Sequence, residues 1–262
     1  MSIKVGVFGA AGRMGSTVCD AVLKDPGTEL VAAVDPHHEG LDVKTVTGVD
    51  VPLVLGGSCE SMAGSGVEVV VDFTEAEAAR ENLRWCAANG VHAVVGTTGL
   101  TDADYDDLRA SFTSSNCVVA PNFAIGAVLM MRLAEIAAPF FESVEVIELH
   151  HENKVDAPSG TAMLTVARIA AASSEWTPDP TTREILQGAR GGKGPADIPV
   201  HSLRVKGLVA HQEVLFGTTG QTLTIRHDSL DRSSFMPGVL LAVKRVADRP
   251  GLTVGLDALL DL

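Results

Sequence analysis

An apolar run, IKVGVF at residues 3–8, passes directly into Gly9-Ala10-Ala11-Gly12-Arg13-Met14-Gly15 and then into a helical pattern through about Leu23. That order of strand, glycine turn and helix predicts a βαβ unit, with LVAAVD at 30–35 as its second strand. Glycine at the first turn lets the backbone approach a pyrophosphate, whose charge the free N–H groups of the helix N-terminus stabilise. The spacing is G-x-x-G-x-x-G rather than G-x-G-x-x-G, which alone is a weak signal. Asp35 strengthens it. An acid at the end of the second strand, roughly 20 residues past the glycines, is placed to hydrogen-bond an adenosine ribose. The competing reading is a glycine-rich turn followed by a surface aspartate.

Three further strand-like runs follow: VEVVVDFT at 67–74, VHAVVGTTG at 91–99 and NCVVAPNF at 116–123. In a parallel sheet the C-terminal ends of all strands share one edge. Gly9 to Gly15, Asp35, Phe73, Thr74, Gly96, Thr97, Thr98, Gly99, Ala120, Pro121, Asn122 and Phe123 therefore converge on one crevice where a dinucleotide would lie. The tetrapeptide GTTG proves nothing by itself, because it recurs at 217–220 between VLF and QTLTI, where it reads as a hairpin turn. Its place at the end of a buried strand gives the first copy its meaning.

After Phe123 the pattern changes. A helix is expected from about Gly126 to Ala138, then the strand SVEVIELHH, a helix from about Ser159 to Ala172, and a mobile loop over 173–197 rich in Pro, Gly, Thr and charge. GARGGKG within that loop lacks Walker A spacing, leaving Arg190 and Lys193 as candidate ligand contacts only. Strands near HSLRVKG, AHQEVLFG and QTLTIRHD suggest a mixed or antiparallel second sheet, and a helix from about Phe235 to Ala247 returns to the first domain. The expected fold class is α/β: a Rossmann-type doubly wound parallel sheet plus a smaller α+β domain with a mixed sheet. The expected domains are 1–124 with 234–262, and 125–233.

Several classes of function are disfavoured. A formal charge of −13 over 262 residues repels nucleic acid phosphates from most of the surface, so an anionic ligand needs a local cluster of donors. MSIKVGVFGAAGRMG has no long apolar region or cleavage site, which argues against a signal peptide and for the cytoplasm. The stretch FAIGAVLMMRLAEIAAPFF is interrupted by Arg132, Glu135 and Pro139, so no membrane role is expected. Cys19, Cys59, Cys86 and Cys117 form no C-x-x-C pair and read as reduced, buried thiols.

The stretch ELHHENKVDAPSGTA, 148–162, gathers two histidines, a lysine and a Ser-Gly-Thr turn. Alternation along a strand points His150 and His151 to opposite faces, which with Lys154 nearby counts against a metal. Ser159, Gly160 and Thr161 supply hydroxyls and free N–H groups at a helix start. Imidazole, ammonium and helix N-terminus describe a site for a carboxylate-bearing substrate, with one group able to deliver a proton near neutral pH. A capped helix preceded by exposed basic residues is the plainer alternative.

These motifs, GAAGRMG, VDFT, VVGTTG, APNF, E-L-H-H-x-x-K-x-D-A-P-S-G-T-A and RHDSLDRSSFMPG, together closely resemble the dihydrodipicolinate (4-hydroxy-tetrahydrodipicolinate) reductase family over essentially the whole chain. The resemblance implies a Rossmann domain and a separate substrate and tetramerisation domain. It also implies hydride delivery from NADPH or NADH in the diaminopimelate route to lysine. By motif position, His150 resembles the family's proton donor and acceptor, Lys154 its second proton-donating cation, and His151 a substrate contact. Gly160 and Thr161 resemble the binders of a substrate carboxylate, with Ser159 in the same anion site. Hydride addition to a C=C conjugated with C=N leaves an enamine, which needs a positioned acid; whether the hydroxylated or the dehydrated compound is the substrate stays open. Asp35 favours NADH, and Pro36-His37-His38 stands where NADPH users often carry basic residues, so dual use is expected, with Arg13 a candidate phosphate contact. A different amino-acid-pathway dehydrogenase, or a nucleotide-sensing regulator that would not need His150 and Lys154, are the competing readings.

Overall fold

The computed structural model describes residues 2–260, which form two compact units. The chain up to Ala124 together with the part from Arg232 onward forms the first, and Ile125–Asp231 the second.

The first unit holds strands β1 (Ile3–Phe8), β2 (Thr28–Val34), β3 (Val69–Asp72), β4 (His92–Val95) and β5 (Cys117–Val119), with helices α1 (Arg13–Lys24), α2 (Val43–Thr47), α3 (Ala76–Ala88) and α4 (Asp102–Ser111) between them. The chain returns from the second unit as α7 (Met236–Arg245) and β11 (Leu252–Val254). All six strands are parallel, in the order β11-β5-β4-β3-β1-β2. VVVD, AVV and CVV are buried on both sides, as a parallel sheet covered on two faces demands. On one face Leu83 and Cys86 of α3 and Leu108 of α4 pack against Val70, Val95 and Cys117. On the other, α7 lies across β1, β3 and β4 beside α1, burying Val239, Val243, Val18 and Val22. Each such valine contributes on the order of 1.5–3 kcal/mol. The sheet is doubly wound, as the sequence predicts. The edge strand β11 is absent from the sequence reading: three residues, half exposed, carry too little periodicity to register.

The second unit opens with α5 (Ile125–Ala137) and β6 (Ser143–His150), then α6 (Gly160–Ala172), β7 (Gly192–Lys193), β8 (Pro199–Arg204), β9 (Ala210–Thr218) and β10 (Gln221–Ser229). Its sheet runs β10-β9-β6-β8-β7, with β6 and β8 parallel and the other pairs antiparallel, so it is mixed. The second GTTG does close a hairpin: Thr218 pairs with Gln221 and Gly220 turns at φ +80°. One face packs Val144, Val146, Val214 and Phe216 against Ala134 of α5 and Val166 and Ile169 of α6. By alternation Ile147, Leu149, Leu203 and Leu215 point to the other face.

The segment 173–197 is more tethered than its composition suggests. Thr177 N–H donates to the Glu142 carbonyl at 2.8 Å, and Arg190 pairs with Glu145 at 2.6 Å and Asp179 at 3.2 Å. Lys193 lies 3.9 Å from Asp197. Both cations proposed as ligand contacts therefore face carboxylates of their own surroundings.

Candidate functional site

In the first unit, register sets out a row. Val34, Phe8, Asp72, Val95 and Val119 are successive cross-strand partners at the last position of their strands. The next residues, Asp35, Gly9, Phe73, Gly96 and Ala120, emerge side by side on the sheet's C-terminal edge, which is the convergence the sequence requires.

Each glycine of the first turn has a separate reason. Gly9 adopts φ +69°. A Cβ on Gly15 would lie 2.0 Å from the Gly9 carbonyl oxygen, so α1 reaches the turn only because that atom is missing. Gly12 donates its N–H to the same carbonyl at 2.9 Å and caps α1 without a side chain. With no acid in the first turn, the N–H groups around Arg13, Met14 and Gly15 are suited to an anion. Ala10 is fully buried and its N–H pairs with the Val34 carbonyl, so it holds the turn in place. Arg13 is exposed.

Asp35 faces inward more than its sequence position suggests. It is 8% exposed, and its carboxylate accepts from Ala11 N–H at 3.2 Å, from His37 N–H at 3.2 Å and meets His38 Nδ1 at 2.9 Å. It ties the glycine turn to the end of β2 while keeping acceptor capacity for a further donor.

The remaining loops are organised by a group the sequence reading missed. Asp72, fully buried, accepts from Thr74 N–H (2.8 Å) and Oγ1 (2.6 Å), Thr97 Oγ1 (3.0 Å) and Asn82 Nδ2 (2.8 Å). One carboxylate thus sets both the VDFT and the GTTG turns. The acid within VDFT, in an otherwise apolar strand, was its signal. Phe73 packs against Gly96, where a Cβ would meet its ring at 2.0 Å, and its centroid is 5.7 Å from that of Phe123. Gly238 lets α7 come against the Phe123 carbonyl. Thr98 and Pro121 are exposed, Asn122 caps its own turn by accepting from Ala124 N–H at 2.8 Å, and buried Ala120 can offer only backbone.

In the second unit β6 ends at His150, so His151 already belongs to the loop and is exposed. Glu148 and His150, two apart, share a face. His150 Nδ1 is hydrogen-bonded to the Glu148 carboxylate. Glu148 is fully buried and gripped by Arg204, which stands beside His150 in the register of β8: Nη1 and Nη2 donate to its two oxygens at 2.9 and 2.8 Å. Ser159 N–H adds a bond at 3.3 Å. Burial pushes the Glu148 carboxyl upward, but hydrogen bonds from Arg204, Ser202 and His150 outweigh it and hold the group below its usual range. For His150, burial lowers the pKa and Glu148 opposes it, with Lys154 and Arg204 lowering it further; the net direction is down.

Lys154 does not stand free. Its Nζ is bidentate on Asp156 at 2.8 and 2.9 Å, within electrostatic reach of His150. Ser159 caps α6, its Oγ accepting from Ala162 N–H at 3.1 Å. Gly160 faces open space and Thr161 is half-buried in the first turn. His150, Lys154 and the Ser159–Thr161 turn are thus set by one strand end and the helix that follows it. Glu148 and Arg204 were missed; the period-two E-L-H pattern could have revealed the first, but nothing local signals Arg204, 54 residues beyond His150. A cavity of about 950 Å³ under segment 173–197, lined by Trp176, Pro178, Arg190 and Phe216, shares no residue with this cluster. Among the described residues no group of three or more His, Cys, Asp or Glu could hold a metal ion.

The first unit is a Rossmann-type nucleotide-binding fold of the dehydrogenase kind, and the class implies a nicotinamide cofactor. The chain belongs to the dihydrodipicolinate reductase family: residues 3–123 match the family's N-terminal model and 126–260 its C-terminal model. It is 52% identical over 267 residues to the 4-hydroxy-tetrahydrodipicolinate reductase of Cutibacterium acnes, covering 99% of both chains. It is also 52% identical to that of Nocardia farcinica, covering 100% of both. Among solved structures, a dipicolinate-bound dihydrodipicolinate reductase from Paenisporosarcina sp. TG-14 superposes with TM-score 0.86 at 39% identity, covering 98% of this chain and 99% of that one.

Proposed function

We propose that the chain reduces 4-hydroxy-tetrahydrodipicolinate, or its dehydrated form, to tetrahydrodipicolinate in the diaminopimelate route to lysine, using NADH or NADPH. The observation that carries this reading is His150: an imidazole tied through Nδ1 to a buried, ionised carboxylate, followed in the chain by an ammonium and the first turn of a helix. A nucleotide sensor would need none of these.

The first unit fits a dinucleotide. The Gly9–Gly15 turn is a cradle that a Cβ would fill, the N-terminus of α1 lacks a side-chain cap, and Asp35 keeps acceptor capacity at the end of β2. Gly9, Ala11, Gly12, Arg13, Met14, Gly15 and Asp35 would hold the adenosine and pyrophosphate end. Phe73, Gly96, Thr97, Thr98, Ala120, Pro121, Asn122 and Phe123 would line the rest. When bound, the cofactor supplies a hydride. The carboxylate of Asp35 favours a free ribose while the exposed guanidinium of Arg13 is a contact for a phosphate, which supports use of both nucleotides.

His150 is the proton donor and Lys154 the second cation. Ser159, Gly160 and Thr161 take one substrate carboxylate on the first turn of α6, and His151 contacts the substrate from the loop. A flat dicarboxylate suits two separated sets of donors, and the Paenisporosarcina reductase is recorded with dipicolinate bound.

The second unit also supports a homotetramer. Ile147, Leu149, Leu203 and Leu215 point to one face of its sheet, Leu203 and Leu215 are more than a third exposed, and apolar surface of this kind calls for a protein partner. No helix of the described residues is long and apolar enough to cross a membrane. The acidic balance of the chain disfavours nucleic acid, and reduction of a small metabolite by a nicotinamide nucleotide suits the cytoplasm, to which we assign the enzyme.

The test is to generate the substrate from aspartate semialdehyde and pyruvate with the preceding synthase and follow oxidation of NADH or NADPH. Consumption that requires both the synthase and His150 is the expected result. Nucleotide binding without turnover would sink the reading in favour of a sensor.

A further inference from the structure

The His150 imidazole is one end of a connected chain of charges. Its Nδ1 meets Glu148; Glu148 is clamped by both terminal nitrogens of Arg204; and Arg204 Nη2 donates at 2.6 Å to the backbone carbonyl of Asp156, whose side chain holds Lys154. Arg204 Nη1 also anchors the Leu203 carbonyl at 2.7 Å, while its buried Nε has no partner. A guanidinium with an unsatisfied buried N–H and a carboxylate with no exposure are costly features, and breaking only one side of such a pair is costlier still. Stability alone would be served as well by apolar side chains at 148 and 204.

We infer that Glu148 and Arg204 are positioning residues for proton delivery: Glu148 fixes the proton of His150 on Nδ1 so that Nε2 serves the substrate, and Arg204 both balances that carboxylate and carries the Lys154 loop. This inference rests on the reductase reading above. The ionised Glu148 can only accept, so His150 Nδ1 must donate. Among the described residues Nε2 has no hydrogen bond within the protein. In the step this serves, the Nε2–H bond of the imidazolium breaks, a C–H bond forms with the electron pair of the substrate enamine, and the imidazole left behind is already the Nδ1–H tautomer that Glu148 stabilises. Solvent refills Nε2.

The charged groups facing His150 are Glu148 from its own strand, Lys154 from the following loop and Arg204 from β8; its cross-strand neighbour on β9 is the uncharged Ala210. Glu148 raises the imidazole's pKa and Arg204 lowers it. The two removals must therefore act in opposite senses. With His150 required in its protonated form, Glu148→Gln should move the alkaline fall of kcat/KM to lower pH by about one unit, and Arg204→Gln should move it to higher pH by a similar amount. Both should lower kcat by roughly tenfold to a hundredfold with KM changed far less, and Arg204→Lys, which keeps the charge, should recover the wild-type pH profile in part.

A second readout needs no turnover. Nitrogen-15 NMR of the full-length, histidine-labelled protein, with the His150 signal assigned by loss in His150→Gln, should show the neutral ring protonated on Nδ1 in the wild type and shifted toward Nε2 in Glu148→Gln. If Glu148→Gln is poorly folded, the double variant Glu148→Gln/Arg204→Met removes the stranded charge and should show the same tautomer change. Shifts of the two pH profiles in the same direction, or an unchanged tautomer without Glu148, would overturn the inference. Failure of the reductase reading would instead show as wild-type protein that never turns over, with the tautomer result intact.

Discussion

In the proposed function, the groups offered to a ligand at the edge of the parallel sheet are main-chain N–H groups of a turn that closes tightly because Gly9, Gly12 and Gly15 lack side chains. At the end of β6 they are the side chains of His150 and Lys154 and the Ser159–Thr161 turn. The first region works through atoms that are missing, so it is vulnerable to additions. The second works through protons and charges held in balance, so it is vulnerable to removals. Binding a cofactor that many enzymes share needs only shape and helix-end charge, whereas steering one protonation needs a defined tautomer.

The largest effect should come from a removal in the second region. His150→Gln should lower turnover by roughly 10² to 10⁴-fold, the usual worth of a placed acid, while nucleotide affinity stays near wild type. Lys154→Ala should fall in the same range, because Lys154 stands near His150 and its ammonium is positioned by Asp156. Stopped-flow turnover and nucleotide titration by fluorescence check both halves. If either variant turns over near normally, that residue is not part of the proton path.

The matching addition is Gly15→Ala. Its methyl would lie 2.0 Å from the Gly9 carbonyl oxygen, a backbone atom that cannot turn aside, so α1 must shift. Overpacking of this kind costs about 1–3 kcal/mol in stability. Nucleotide affinity should drop by roughly tenfold to a hundredfold as the N–H groups leave their aim, while the His150 tautomer is unchanged. Calorimetry and NMR on one sample decide it; a variant that binds nucleotide normally would show that the turn tolerates what the contact forbids.

The same contrast explains what was legible in the sequence. Missing atoms leave a local mark: Gly9, Gly12 and Gly15 lie within seven residues, and the strand ends that join them are each a short apolar run closed by small or polar residues. The row Asp35, Gly9, Phe73, Gly96 and Ala120 could be written down in advance because parallel register makes it unavoidable. Balanced charges leave no such mark. Arg204 reaches Glu148 only through the pairing of β6 with β8, and Asp72 reaches Thr97 only through the pairing of β3 with β4. His150 and Lys154 stand out as candidates because histidines, lysine and a helix start share one stretch; Glu148 and Asp156 lie in that stretch too, but only the fold pairs them with His150 and Lys154. The inward turn of Asp35 and the pairing of Lys154 with Asp156 are likewise facts of loop geometry that residue order does not carry.

A third prediction probes the side-chain region by ligand. Pyridine-2,6-dicarboxylate should compete with substrate, and the 2-monocarboxylate should bind more weakly by about 1.5–3 kcal/mol, the worth of one charge-assisted contact set. Thr161→Val, which removes a hydroxyl from the first turn of α6, should narrow that gap by weakening the dicarboxylate. Equal inhibition by the two compounds would mean that the turn and the His151–Lys154 side are not two anion sites.

The smallest expected effect lies where the backbone region depends on a side chain. The Asp35 carboxylate has two duties, bracing Ala11 N–H and His38 on the inside and accepting from a ribose hydroxyl on the outside. Asp35→Asn keeps one oxygen for three N–H partners, so the glycine turn loosens and both nucleotides should weaken by a few-fold. Beyond that shared loss, NADH forfeits a charge-assisted bond to its ribose while NADPH escapes repulsion between the carboxylate and the 2′-phosphate. The preference for NADPH should therefore rise by about tenfold, some 1.4 kcal/mol. His38→Ala separates the duties: it leaves the carboxylate charged but removes the imidazole hydrogen-bonded to it at 2.9 Å, which frees acceptor capacity for a ribose hydroxyl and should move the preference toward NADH. Equal losses of both nucleotides in Asp35→Asn, with no response to His38→Ala, would reduce Asp35 to a brace for the turn and leave cofactor choice to the backbone alone.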